Sequence, residues 1–194
     1  MKISKGSAVP VQLLSSIVKD KDGKAHTLSN LLEGATTVVL FVRHFGCIGC
    51  SENIGLLSPR FEELSSIGAQ VLVIGCGPSM FIEGFRERHR LLFNPAEVYT
   101  DETLHVQRAA GLMYSAWGGF RPRALIEMAR AFVNGHVSGP NEGDIKQQAG
   151  AMIVDKDGIV RLYHRNESLG DHVDGTHVVD TALKLHLQNH PELV

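Results

Sequence analysis

The run Val38-Val39-Leu40-Phe41-Val42, closed by Gly46 and followed at once by Cys47 and Cys50, constrains this chain more than any other stretch. An uninterrupted apolar, largely β-branched segment predicts a strand buried on both faces, and Gly46 supplies the turn that ends it. After Cys50, the residues Ile54, Leu57, Phe61 and Leu64 recur at helical steps. That periodicity predicts an amphipathic helix whose first turn carries both cysteines.

Residues three apart on a helix share one face, with Cβ atoms about 5–6 Å apart. A small backbone adjustment then suffices to join two thiols. The closed loop is too short to remove much unfolded-state entropy, which argues for a reversible redox couple rather than a structural staple. A thiolate at a helix start gains about 0.3–1 kcal/mol from the dipole. Arg43, and His44 when protonated, add positive charge just before the loop, so the Cys47 pKa is expected to fall from about 8.5 toward neutral. Cys47, more N-terminal and expected nearer solvent, is the natural nucleophile, with Cys50 resolving it. Arg43 and His44 also have the chemistry to polarise a peroxide oxygen. Cys76 is the one remaining thiol, too few for a zinc site, and reads as a packed residue or a third redox thiol near the same loop.

With 194 residues, 21.2 kDa and 43% hydrophobic residues, the chain reads as one domain over 1–194 with an insertion at about 112–148. A net charge of -2 and a pI near 6.5 give no basic footprint for nucleic acid and no charged block for a lipid surface. The N-terminal residues lack a signal-peptide core, and the longest apolar runs fall short of a membrane span. Three cysteines fit a reducing compartment, so a cytoplasmic location is expected. No cofactor or metal is called for. His186 and His190 stand four apart but lack convergent ligands, and read as exposed helix residues.

In chain order, Val9 to Val18 and the Asp22-Gly23 turn predict a short strand or hairpin, and Thr27 to Leu32 a short helix. Gln70 to Gly75 is a second buried strand, Pro78 to Leu92 a helix, Ala96 to Thr100 a third strand, and Glu102 to Ala110 a helix ending at Gly111. This alternation predicts an α/β fold with a largely parallel sheet covered on both faces. GCGPSM, from Gly75 to Met80, matches a phosphate turn only weakly, since Met80 replaces the last glycine. Between Leu112 and Gln148 the rhythm breaks, with a helix expected over Arg123 to Phe132. Here Arg121 and Arg123 are lesser site candidates, and Tyr114, Trp117 and Phe120 pack under the loop, line a substrate entrance or form a homodimer contact. AGAMIVDKDGIVRLYHR predicts an edge hairpin around Asp157-Gly158, and a final helix spans about Val178 to Leu187.

Two strings carry a family resemblance. RHFGCIGCSE resembles the active loop, and ARAFVNGHVSGPNEGDIKQQAGAMIVDKDGIVRLYHRNESLGDHV the later segment, of the peroxiredoxin-like 2 (selenoprotein U-like, AhpC/TSA-type) branch of the thioredoxin superfamily. The likeness runs from about Leu31 to Leu185. It implies a thioredoxin-like fold, with a central mixed sheet flanked by helices and an insertion before the C-terminal hairpin. It further implies a thiol oxidoreductase or peroxidase using Cys47 and Cys50, with a peroxide or disulfide substrate and a thioredoxin or glutathione-type reductant. In that family some members are described as antioxidant or redox-regulatory, and a vertebrate branch reduces prostaglandin endoperoxides. The chain departs from the peroxiredoxin pattern PxxxTxxC: counted back from Cys50, Arg43 and Cys47 occupy the Pro and Thr places. Counted back from Cys47, Leu40 and His44 stand there instead, so neither register matches; if the site works as a peroxiredoxin, Cys50 is the alternative peroxidatic cysteine. It also lacks the proline that thioredoxins place before the strand facing the CxxC, where Gln148 and Ala149 stand. The alternative from another class is a non-enzymatic redox sensor or interaction module.

Overall fold

The computed structural model describes residues 3–115, 133, 142–167 and 171–189. Seven strands form one sheet in the order β2-β1-β5-β4-β3-β6-β7. They are β1 (Ile17–Lys19), β2 (Ala25–Thr27), β3 (Thr37–Phe41), β4 (Gln70–Gly75), β5 (Glu97–Thr100), β6 (Gly150–Val154) and β7 (Val160–Arg165). The helices are α1 (Val11–Leu14), α2 (Leu28–Leu31), α3 (Ile48–Leu57), α4 (Phe61–Ser66), α5 (Ile82–Arg88), α6 (His105–Ala109) and α7 (Gly175–Asn189). Among the described residues, parallel pairing is confined to β3 with β4 and β4 with β5. β6 returns antiparallel to β3, and β1 antiparallel to β5, so the sheet is mixed rather than largely parallel. The local alternation of strand and helix holds only for the central strands, because β6 and β1 pair antiparallel with strands distant in sequence and β7 and β2 follow them as hairpin partners.

Every residue of β3 is buried, as its apolar run requires. Period-two alternation then splits the core. Val38 and Leu40 join the cluster built with Ile54, Leu57, Phe61, Phe85 and Val179, so α3, α4, α5 and α7 cover that face. Val39 and Phe41 join Leu13, Leu28, Val106 and Met152 under α1, α2 and α6 on the other. Cys47 and Cys50 belong to the first cluster.

Helix ends depart from the sequence reading where the stop signal is not a glycine. Rather than running to Leu92, α5 ends with Arg90 at φ 56°. There the Arg90 N–H meets the Glu87 carbonyl and the Leu91 N–H meets Arg86, a Schellman closure that drives Leu91 into the core. Likewise α6 starts late, because the Asp101 carboxylate accepts the N–H groups of Thr103 and Val106 across Leu104 at φ 61°.

The insertion is closed at its base. The Gln148 N–H donates to Met113 and the Ser115 N–H to Lys146, with Tyr114 bridged to Gln147. From there 142–148 lies across the loop that follows β3 and the turn that follows β4. Gly77 lets it approach: a Cβ there would fall 2.0 Å from the Glu142 carbonyl oxygen. The second glycine of GCGPSM thus serves steric contact with Glu142. The helix expected over 123–132, with Trp117, Phe120, Arg121 and Arg123, lies outside the described residues.

Gly77→Ala is therefore expected to lower stability by about 3 kcal/mol. Gly84→Ala, whose Cβ would meet nothing nearer than 3.6 Å within α5, should be neutral or stabilising. Thermal denaturation of the two variants checks the contrast.

Candidate active site

The chain leaves β3 through Val42, whose N–H still bonds Ile74, and then turns through 43–46 into α3. Cys47 is the N-cap of α3, extended at φ -75° and ψ 120°, and its sulfur accepts the Cys50 N–H at 3.5 Å. A cap sulfur therefore takes the place usually held by a serine or aspartate oxygen, facing the helix's unpaired N–H groups. The Cys50 sulfur accepts the Arg43 N–H at 3.2 Å.

These contacts separate the two thiols chemically. The Cys50 thiol, hydrogen-bonded to Cys47, is the foremost influence lowering the Cys47 pKa, to about 6; the Arg43 charge and the N–H groups of Cys50 and Gly49 act in the same direction against burial. Cys50 moves the opposite way, raised by burial and by its bond to Cys47. One turn of helix thus holds an acidic thiol beside a proton-retaining one. Both are buried, at 3% and 2% exposed, so Cys47 is not the solvent-facing thiol the sequence suggests.

Arg43 is itself buried. Its Nε donates to the Gln147 carbonyl at 3.0 Å, and its Nη2 donates to the Ile145 carbonyl. These partners are neutral carbonyls, so they do not cancel its charge. His44 behaves differently from expectation: burial, then the neighbouring Arg43 charge, pushes its pKa down to about 4, so it is neutral near pH 7 and adds no positive charge to the loop. Among the described residues its Nδ1 has no hydrogen-bond partner.

Three further groups that sequence reasoning missed complete the surroundings. Arg88 donates to the Phe45 carbonyl at 3.1 Å and pairs with the buried Glu142 carboxylate at 2.6 Å, while the Phe45 N–H donates to the Glu142 carbonyl. Gly143 sits where a Cβ would lie 2.8 Å from His44 Cβ and 3.1 Å from Cys76 Sγ. The available signal was the glycine in Asn141-Glu142-Gly143-Asp144, which reads as an ordinary loop without its partner in view. Tyr114 is exposed, its hydroxyl donating to Asp144 at 3.0 Å. His186 is half-buried and His190 lies outside the described residues; no cluster of metal-ligating side chains occurs among the described residues. No helix among them is long and apolar enough to cross a membrane.

The mixed sheet, with a helix start presenting two cysteines at the end of its central strand, has the arrangement of a thioredoxin-like fold. The family model described as "AhpC/TSA antioxidant enzyme" matches residues 56–168. The chain belongs to this AhpC/TSA family, as a peroxiredoxin-like member of the thioredoxin superfamily. It is 33% identical over 168 residues to a prostamide/prostaglandin F synthase of Xenopus tropicalis, covering 82% of this chain and 80% of the relative. It is 26% identical over 170 residues to peroxiredoxin-like 2C of Takifugu rubripes, covering 81% and 74%. In fold it is similar to peroxiredoxin 6 of Arenicola marina, solved as a cysteine-to-serine mutant, at TM-score 0.68 with 12% identity, covering 96% of this chain and 75% of that one. Reduced Prx3 of Vibrio vulnificus with hydrogen peroxide matches at TM-score 0.60 with 17% identity, covering 84% and 88%. The family match starts beyond Cys47 and Cys50, so the roles of these residues rest on their own geometry.

Arg43→Met is expected to raise the midpoint for alkylation of Cys47 from about 6 by about one unit, read by peptide mass spectrometry across pH. For His44 the folded-state pKa lies below the unfolded one, so protonation favours unfolding. Its contribution, about 3 kcal/mol, is present above pH 6.5 and lost as pH falls toward about 4. His44→Gln should flatten denaturant-measured stability across that window.

Proposed function

We propose that this chain is a thiol oxidoreductase of the peroxidase type, working in a reducing cytoplasm, in which Cys47 attacks and Cys50 resolves. The single observation that carries the reading is the placement of the two sulfurs within one helical turn: Cys47 is the N-cap of α3 and its Sγ accepts the Cys50 N–H, while Cys50 Sγ sits behind it on the Arg43 N–H.

The Cys47 thiolate displaces on the distal oxygen of a hydroperoxide, forming an S–O bond and breaking O–O. The peroxide is reduced to an alcohol or water, the leaving oxygen takes a proton, and Cys47 becomes a sulfenic acid. The Cys50 sulfur then attacks the Cys47 sulfur, releasing water and closing the disulfide, with its own proton leaving alongside the hydroxyl. A dithiol reductant of the thioredoxin or glutathione type returns two electrons by exchange. A disulfide substrate enters the same cycle as a mixed disulfide. Arg43 supplies fixed positive charge for the thiolate, and the neutral His44 imidazole offers a donor or acceptor to a peroxide oxygen. The name of the Xenopus relative, prostamide/prostaglandin F synthase, and the family resemblance make a prostaglandin precursor a substrate to set beside hydrogen peroxide and an alkyl hydroperoxide.

Stoichiometric peroxide is expected to give a Cys47–Cys50 linkage by mass spectrometry, blocked in Cys47→Ser and replaced in Cys50→Ser by an accumulating sulfenic acid. With a thioredoxin system the wild type should consume many equivalents. Consumption that stops near stoichiometry while the disulfide forms would make the chain a redox sensor instead. Peroxide left unconsumed, with both thiols free, would remove the redox reading altogether.

A further inference from the structure

Cys76 takes no part in the cycle between Cys47 and Cys50, yet two distant chain segments meet on its sulfur. Its S–H donates to the Arg43 carbonyl at 2.8 Å, and its Sγ accepts the Asp144 N–H at 3.4 Å. Gly143 passes close enough that any Cβ would lie 3.1 Å from that sulfur. The turn carrying Cys76 is itself fixed, since the Gly75 carbonyl accepts from Gln107 Nε2 and the Asp101 N–H, and the Gly77 carbonyl accepts from the Thr100 hydroxyl. Arg43 is therefore gripped at both ends of its own main chain. Its N–H is on Cys50 Sγ, its carbonyl on Cys76, and its guanidinium on the carbonyls of Ile145 and Gln147.

We infer that Cys76 is a positioning residue for the Cys47 thiolate, acting through the main chain of Arg43 and not by electron exchange. The inference rests on the reading of Cys47 as the nucleophile. A thiol suits the task because it stays a donor: burial, the leading cause, pushes Cys76 up to about 11, so it keeps its proton where Cys47 has lost its own. Freeing the Arg43 carbonyl releases the rotation of that residue about its backbone. The guanidinium then leaves the position from which it holds Cys47 acidic, and the N–H leaves Cys50.

The test follows alkylation of Cys47 by iodoacetamide across pH in the full chain, with melting temperature measured alongside. Wild type should titrate near pH 6. Cys76→Ala should move the midpoint up by about half a unit and slow the reaction at least about threefold below it. Cys76→Val, which fills the volume without a donor, should behave alike, whereas Cys76→Ser, which keeps a donor, should stay near wild type. Loss of packing alone would lower the melting temperature without moving the midpoint, so an acidic wild type with unchanged Cys76→Ala and Cys76→Val midpoints overturns the inference. A Cys76 disulfide after stoichiometric peroxide overturns it as well. A wild-type midpoint at the ordinary thiol value instead overturns the reading of Cys47 as nucleophile, and this inference with it.

Discussion

A guanidinium taken out of water is costly unless each donor is met, and the way Arg43 is met sets up the rest of the site. Its partners are the main-chain carbonyls of Ile145 and Gln147. These carbonyls hold the guanidinium in place but leave the charge uncancelled, so it remains available to Cys47. The same residue offers its N–H to Cys50. One side chain and one peptide thus tie the end of the central strand, both cysteines and the base of the insertion into a single unit.

That unit needs very close chain approach, which glycine supplies. Gly75 faces the Phe45 ring, Gly77 the Glu142 carbonyl, and Gly143 the sulfur of Cys76. Side chains at Gly77 or Gly143 would separate 142–148 from the active loop and with it the carbonyls that hold Arg43. The Arg88 and Glu142 pair closes the other flank, with Arg88 also on the Phe45 carbonyl. Truncating either partner would strand a charge on the other, and Glu142 is buried.

Much of the frame was legible because it follows from short-range pattern. Gln70–Gly75 and the edge hairpin around Asp157-Gly158 stand where periodicity and turn chemistry place them. Local rules misjudged the ends of α5 and α6, where Arg90 and Leu104 adopt the left-handed conformation usually left to glycine. They also carried the parallel pattern too far, since strand direction at the sheet edges is set by pairing partners distant in sequence. At the site, the charge of Arg43 was readable, but the state of His44 was not. Protonation depends on burial, and its burial comes from neighbours that include Gly143, far along the chain.

By itself the sequence determined that a fully buried strand delivers Cys47 and Cys50 to a helix start, because apolar run, turn glycine and helical spacing are all local properties of the chain. Tertiary structure decided how deeply those thiols are buried and how the Arg43 charge is held beside them. Acidity is set by the groups that reach a sulfur through space, and folding brought the carbonyls of Ile145 and Gln147, far along the chain, onto the Arg43 guanidinium that acts on Cys47.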